Sequence, residues 1–249
     1  MLNIGHRGAP RQAPENTLAS FNRALELGAD GIELDIHLSR DGHAVVIHDR
    51  LLDRTTDGTG PVDQIDLAHL RRLDAGSHFS ESARSERIPL LDEVLDLVPD
   101  GYEVQVELKG LTRGLANEAV RLIQERGMID QVVVTSFIHT LIRAVKEINP
   151  AIRTGALLPR VENMKHEGYT TAELAVGLTM AAGADVILPH YTTASFELFD
   201  LADKSGLATG AWTVDDTREI SRMIEIGASR ITSNLPDIVA QVISDASAV

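Results

Sequence analysis

A (β/α)8 barrel, the TIM-barrel class, is predicted for this chain by three observations. Short runs of strand-forming residues alternate with helical stretches along its length. The 249 residues are a common length for one such barrel, and with 43% hydrophobic but only 4% aromatic residues the core must be aliphatic. Several strands end in His, Glu, Asp or Lys, groups that an apolar core does not select and that a parallel barrel gathers at one mouth.

Asn3-Ile4-Gly5-His6-Arg7-Gly8 reads as a first strand ending in polar groups. Asn16 or Thr17 then offers a helix N-cap, and Leu18, Phe21 and Leu25 recur at helical spacing up to Gly28. Gly31-Ile32-Glu33-Leu34-Asp35-Ile36 is the next strand, and the chain is organised around it. Strand side chains alternate between faces, so Glu33 and Asp35 point one way while Ile32, Leu34 and Ile36 point the other. Two buried carboxylates aimed at one spot repel and lose hydration, which calls for a shared proton or a cation. A hard divalent ion, Mg²⁺ or Ca²⁺, would satisfy both. Asp41-Gly42 marks a tight turn before Ala44-Val45-Val46-Ile47-His48-Asp49, and a hairpin about it would set Asp35 nearly opposite His48.

Residues 50–87 break the rhythm with loop chemistry, a short helical stretch from Ala68 to Leu73 and another polar loop, and are expected to form a small insertion over the site. A helix over residues 91–97 and the strand Val104-Gln105-Val106-Glu107-Leu108-Lys109 resume the alternation, again with an acid and a base two apart. Strands near residues 132–137, 154–158, 185–188, 208–213 and 230–233 complete it. That makes nine candidates for eight places. One of residues 33–37, 44–49 or 154–158 should therefore lie outside the barrel.

The whole chain, residues 1–249, reads as one domain without repeats or linkers. A formal charge of −14 argues against nonspecific binding of nucleic acid or anionic membranes, so a phosphate-bearing substrate needs local cations. There is no cysteine and hence no thiol chemistry. The N-terminus has no signal-peptide pattern and no apolar run approaches the ~18 residues of a membrane span, so a cytoplasmic protein without stable membrane insertion is expected. Oligomeric state is not legible.

His6-Arg7-Gly8, Pro14-Glu15-Asn16-Thr17, Glu33-x-Asp35, His48-Asp49, Asp74-Ala75-Gly76-Ser77, Ile88-Pro89, Glu107-x-Lys109, Ser136-Phe137 and Trp212-Thr213-Val214 occur in this order. With that set the chain resembles the glycerophosphodiester phosphodiesterase family over essentially its whole length. The resemblance implies a barrel with a small insertion after the third strand, and a divalent-cation-dependent hydrolysis of small-molecule glycerophosphodiesters to glycerol 3-phosphate and an alcohol. It maps the metal carboxylates to Glu33, Asp35 and Glu107, the catalytic histidines to His6 and His48, and the phosphate-binding cations to Arg7 and Lys109. Trp212, the one tryptophan, is either core filler or the wall of a glycerol pocket.

The chemistry needs these residue types. Attack on an anionic phosphodiester builds charge that a metal and fixed cations offset, and two histidines can divide proton removal from proton delivery. Attack by water and attack by the substrate's own glycerol hydroxyl through a cyclic phosphate both remain open. His37, His43, His69, His78, His139, His166 and His190 show no metal-site spacing and read as surface or structural. Two departures bear on the leaving alcohol or on packing: His78-Phe79 stands where many members carry an aromatic pair, and Val214-Asp215 where Val-Asn is common. Other readings are a lysophospholipase D or sphingomyelinase D-like activity, which needs a greasy rim, and a silent phosphoester-binding barrel, which needs no acid-base pair.

Overall fold

The computed structural model describes residues 1–160 and 168–247, so His166 lies outside the described residues. Among the described residues nine strands form one sheet: β1 (Leu2–His6), β2 (Gly31–Leu38), β3 (Ala44–Val46), β4 (Glu103–Leu108), β5 (Val132–Ser136), β6 (Arg153–Leu158), β7 (Val186–Pro189), β8 (Ala208–Ala211) and β9 (Arg230–Ser233). Eight of them pair in parallel around a closed ring, since β1 bonds both β9 and β2. Helices run between successive staves, among them Leu18–Glu26, Leu115–Glu125 and Thr217–Glu225. This is the (β/α)8 barrel that the alternation predicts.

Among the three candidates for the strand outside the ring, the structure selects β3. It pairs antiparallel with β2, Ile36 facing Val46, across a turn in which Gly42 has φ +88. That left-handed conformation is cheap only for glycine, which is why the Asp41-Gly42 signal is reliable here. The ladder continues one step further, with Ile47 N–H donating to Asp35 C=O at 2.9 Å, so the hairpin delivers His48 beside the end of β2.

Strand alternation divides the two sides of the wall. Ile32, Leu34 and Ile36 pack outward with Phe21 and Ala24 beneath the helices. Inside the ring, Val133, Leu157, Val186 and Leu188 form an apolar half against which Trp212 rests. Gly155 and Gly210 make room for them, because a Cβ at either would stand within 2.8 Å of a Leu188 methyl. The other half of the interior is polar. At the N-terminal ends of the strands Arg230 and Glu103, each 5% exposed, form an ion pair at 3.0 Å, with Arg153 3.4 Å from the same carboxylate. Glu103→Ala strands a buried guanidinium and should cost about 3–5 kcal/mol. An unfolding free energy from urea titration lowered by less than about 1 kcal/mol would show the pair to be hydrated.

Between β3 and the helix Leu91–Leu97, the chain makes three 3₁₀ turns and the short helix Leu67–Leu70, which ends earlier than the Ala68 to Leu73 pattern suggested. Leu52, Val62, Leu70, Leu73 and Ile88 close over Val45 and Ile47 as a separate small core. The segment is held to the barrel by Arg54, which donates to both oxygens of Glu15 at 2.8 Å and to Asp49 at 2.7 Å. No helix among the described residues is long and apolar enough to cross a membrane.

Candidate active site

Register places the acids. Asp35 on β2 is the pairing partner of Glu107 on β4, and Glu33 is the partner of His6 on β1. Registered neighbours point to the same side of a sheet, so the four side chains converge inside the mouth. Glu33, Asp35 and Glu107 are all buried and offer one oxygen each within 4.8 Å of one another. Such a set suits a hard cation. Asp35 Oδ1 is buried without an aligned hydrogen bond, and the charge that faces it is Lys109 Nζ at 3.2 Å.

Two cations offset part of the charge. Lys109 Nζ lies 2.7 Å from Glu107 and 3.2 Å from Asp35, while Arg7 Nε is 3.3 Å from Asp35 and its Nη1 is 2.9 Å from Glu15. Arg7 and Asn16 adopt left-handed backbone, φ 54 and 57. Both are held there by site groups: Arg7 N–H donates to Glu33 Oε2 at 3.0 Å, and Asn16 Nδ2 donates to Asp35 Oδ2 at 2.8 Å. Strain of this kind persists only where the surroundings over-determine it.

Burial pushes the Glu33 carboxyl well above its usual range, helped by the charges of Asp35 and Glu107. Burial and then Asp35 likewise push Glu107 up, to about 7. For Asp35 burial acts in the same sense, but Lys109, Arg7 and His48 together outweigh it and hold the group below its ordinary value. A cation entering the cluster must therefore displace the proton of Glu107 and, while it is protonated, that of Glu33, so its affinity should rise with pH through about 7. Calorimetric titration in buffers of different ionisation enthalpy should find more protons released per ion near pH 6 than near pH 8. Proton release independent of pH over that range would contradict this.

The histidines stand on either side. Burial and then the charge of Arg7 lower His6 to about 4, so it is neutral at pH 7, and its Nε2 lies 4.0 Å from Glu33. His48 is also lowered by burial, against the raising effect of Asp35; its Nδ1 meets Asp49 Oδ1 at 2.6 Å. Trp212 Nε1 donates to the Leu188 carbonyl at 2.9 Å, and its ring meets Phe137 edge-on at 5.1 Å. The cavity between thus has one wall of His6, Arg7, Glu33 and Lys109 and another of Phe137, Leu157, Leu188 and Trp212. A second, open groove of about 760 Å³ leads away past His48 and Lys109, flanked by Leu51 of the insertion and by Leu111 after β4.

All eight residues singled out by sequence thus meet at one mouth. Glu15 and Asn16 belonged to a recognised motif, Glu15 without an assigned role and Asn16 as one of two candidate helix caps. Thr17 is the N-cap, accepting from Ser20 N–H, which frees Asn16 for Asp35. Phe137, Asp49, Asn234 and Asp215 also reach the site, and only Asn234 lay outside every recognised motif. His37, read as surface or structural, is buried and bonds through Nε2 to the His48 carbonyl at 3.0 Å.

A family model described as the glycerophosphoryl diester phosphodiesterase family matches residues 6–238. A glycerophosphodiester phosphodiesterase of Caldanaerobacter subterraneus subsp. tengcongensis is 37% identical over 246 residues, 97% of each chain. An Oleispira antarctica phosphodiesterase, solved in complex with its product sn-glycerol-3-phosphate, superposes with a TM-score of 0.86 at 27% identity, over 97% of this chain and 96% of that one. A glycerophosphodiester phosphodiesterase of Agrobacterium tumefaciens gives 0.84 at 30% identity, over 97% and 100%. The chain belongs to the glycerophosphoryl diester phosphodiesterase family.

Proposed function

We propose that the barrel mouth hydrolyses small-molecule glycerophosphodiesters to glycerol 3-phosphate and an alcohol, with a divalent cation, Mg²⁺ or Ca²⁺, held by Glu33, Asp35 and Glu107. The observation that carries this reading is the buried three-carboxylate cluster set against two cations and two histidines. When bound, the cation supplies positive charge to the phosphoryl oxygens as negative charge builds on them. Arg7 offers its planar fork to the same oxygens and Lys109 a point charge. Neutral His6 is placed to take the proton of the attacking hydroxyl, and His48, bonded to a carboxylate, to protect and deliver the proton that the departing alcohol needs. Phe137 and Trp212 form the apolar wall for the carbon skeleton of the glycerol unit.

The test is turnover of glycerophosphocholine, glycerophosphoethanolamine and glycerophosphoglycerol by protein stripped with EDTA and resupplied with Mg²⁺, Ca²⁺ or Mn²⁺. Full activity in EDTA would refute the metal-dependent reading. The open groove is the exit for the alcohol, so residues of the 50–87 insertion select the head group without controlling the reaction. His78 and Phe79 remain candidates, but Leu51, 48% exposed, and Leu111, 73% exposed, flank the groove directly. Leu51→Ser or Leu111→Ser should change the ratios of kcat/KM among the three substrates by about 10-fold, the scale of one apolar contact. A uniform fall for all three with a lower melting temperature would make these residues scaffold.

A further inference from the structure

We propose that Asn234 and Asp215 are a positioning pair that fixes the ring of His6 as its Nδ1–H tautomer and so presents the Nε2 lone pair to the reacting phosphodiester. The catalytic use of the pair rests on the phosphodiesterase reading above; the tautomer itself does not. Asp215 follows β8, Asn234 follows β9 and His6 ends β1, so the three residues span adjacent staves of the ring.

The proton positions follow from what each group can do. Asp215 receives three donors: Asn234 Nδ2 at 2.7 Å, Asn234 backbone N–H at 2.8 Å and Ser233 Oγ at 3.0 Å. An ionised carboxylate only accepts, so the end of the Asn234 amide that faces it must be the NH₂ group. Asn234 Oδ1 is thereby turned toward His6 Nδ1, 2.7 Å away. An amide oxygen also only accepts, and the hydrogen of this contact must come from His6 Nδ1. In the neutral ring the lone pair then sits on Nε2, the nitrogen nearer Glu33.

Asp215 therefore has a specific task at a position where the resemblance leads one to expect Asn. An asparagine there brings one acceptor oxygen to three donors and an NH₂ of its own. Turning the Asn234 amide over relieves that conflict, but it aims an N–H at His6 and moves the lone pair to Nδ1, away from the mouth.

The test uses the full chain with Mg²⁺ and ¹⁵N-labelled histidine, read by long-range ¹H–¹⁵N correlation, with the His6 signals identified by their loss in His6→Gln. The expected pattern for His6 is a protonated Nδ1 and a bare Nε2. Asn234→Ala and, independently, Asp215→Asn should shift His6 toward the Nε2–H form and lower kcat by about 10²-fold with KM nearly unchanged, while the His48 signals stay in place. A scaffold role predicts no tautomer change and a shared loss of kcat and melting temperature. An Nε2–H ring in the active wild-type enzyme, or normal kcat in Asn234→Ala, overturns the pair. An Nδ1–H ring in a chain without turnover of any glycerophosphodiester overturns the phosphodiesterase reading instead.

Discussion

Glu33→Gln is expected to lower kcat/KM by about 10³-fold or more while leaving the metal-free protein at least as stable as the wild type. The loss of activity follows from charge. The cluster has three acids and two nearby cations, and removing one carboxylate takes away a ligand and part of the field that attracts a divalent ion. Stability should behave differently, because the ionised form of Glu33 is disfavoured by burial and then by Asp35 and Glu107. A glutamine has the same shape, stays neutral at no cost, and can still accept the Arg7 N–H that Glu33 Oε2 accepts at 3.0 Å. Turnover with and without EDTA, and melting temperature in EDTA, separate the two effects. Activity within 10-fold of wild type would remove Glu33 from the metal set; a large fall in the EDTA melting temperature would show that the acid supports the fold.

The second large effect is at His48. His48→Ala should reduce kcat by about 10²–10⁴-fold, the usual contribution of a positioned acid-base group, with little change in KM. The side chain is only half-buried, so its removal leaves no sealed cavity and the fold should persist. His37 is the control. It packs beside the same groove and bonds the His48 carbonyl but is not one of the three clustered carboxylates or the two site histidines, so His37→Asn should change kcat by less than about 10-fold. Equal losses in the two variants would mean that His48 acts by holding the hairpin rather than by moving a proton.

The alternation of apolar and charged positions explains what could be read in advance. Ile32, Leu34 and Ile36 against Glu33 and Asp35 announce both a strand and its two faces, because alternation is a local property of extended chain. The helix Leu91–Leu97 and the Asp41-Gly42 turn were equally local. The choice among strand candidates was not. Residues 44–49 and 154–158 both look like short strands, and only pairing direction makes β3 a hairpin arm and β6 a stave. Helix capping shows the same limit: Asn16 and Thr17 are both good caps, and competition from Asp35 decides between them.

By itself, then, the sequence determined the strand faces, the order of the staves and the kinds of group at their ends, since each depends on neighbours a few residues apart. Tertiary structure alone decided which of those groups meet. Asp35 faces Glu107 because the β2–β4 register is set by closure of the ring, and His6 reaches Asn234, 228 residues away, because β1 and β9 pair to complete it. A shift of one residue in either ladder would turn the same carboxylates or the same histidine to the other face of the wall. Local alternation contains no record of that register; it is chosen by the packing of the whole barrel.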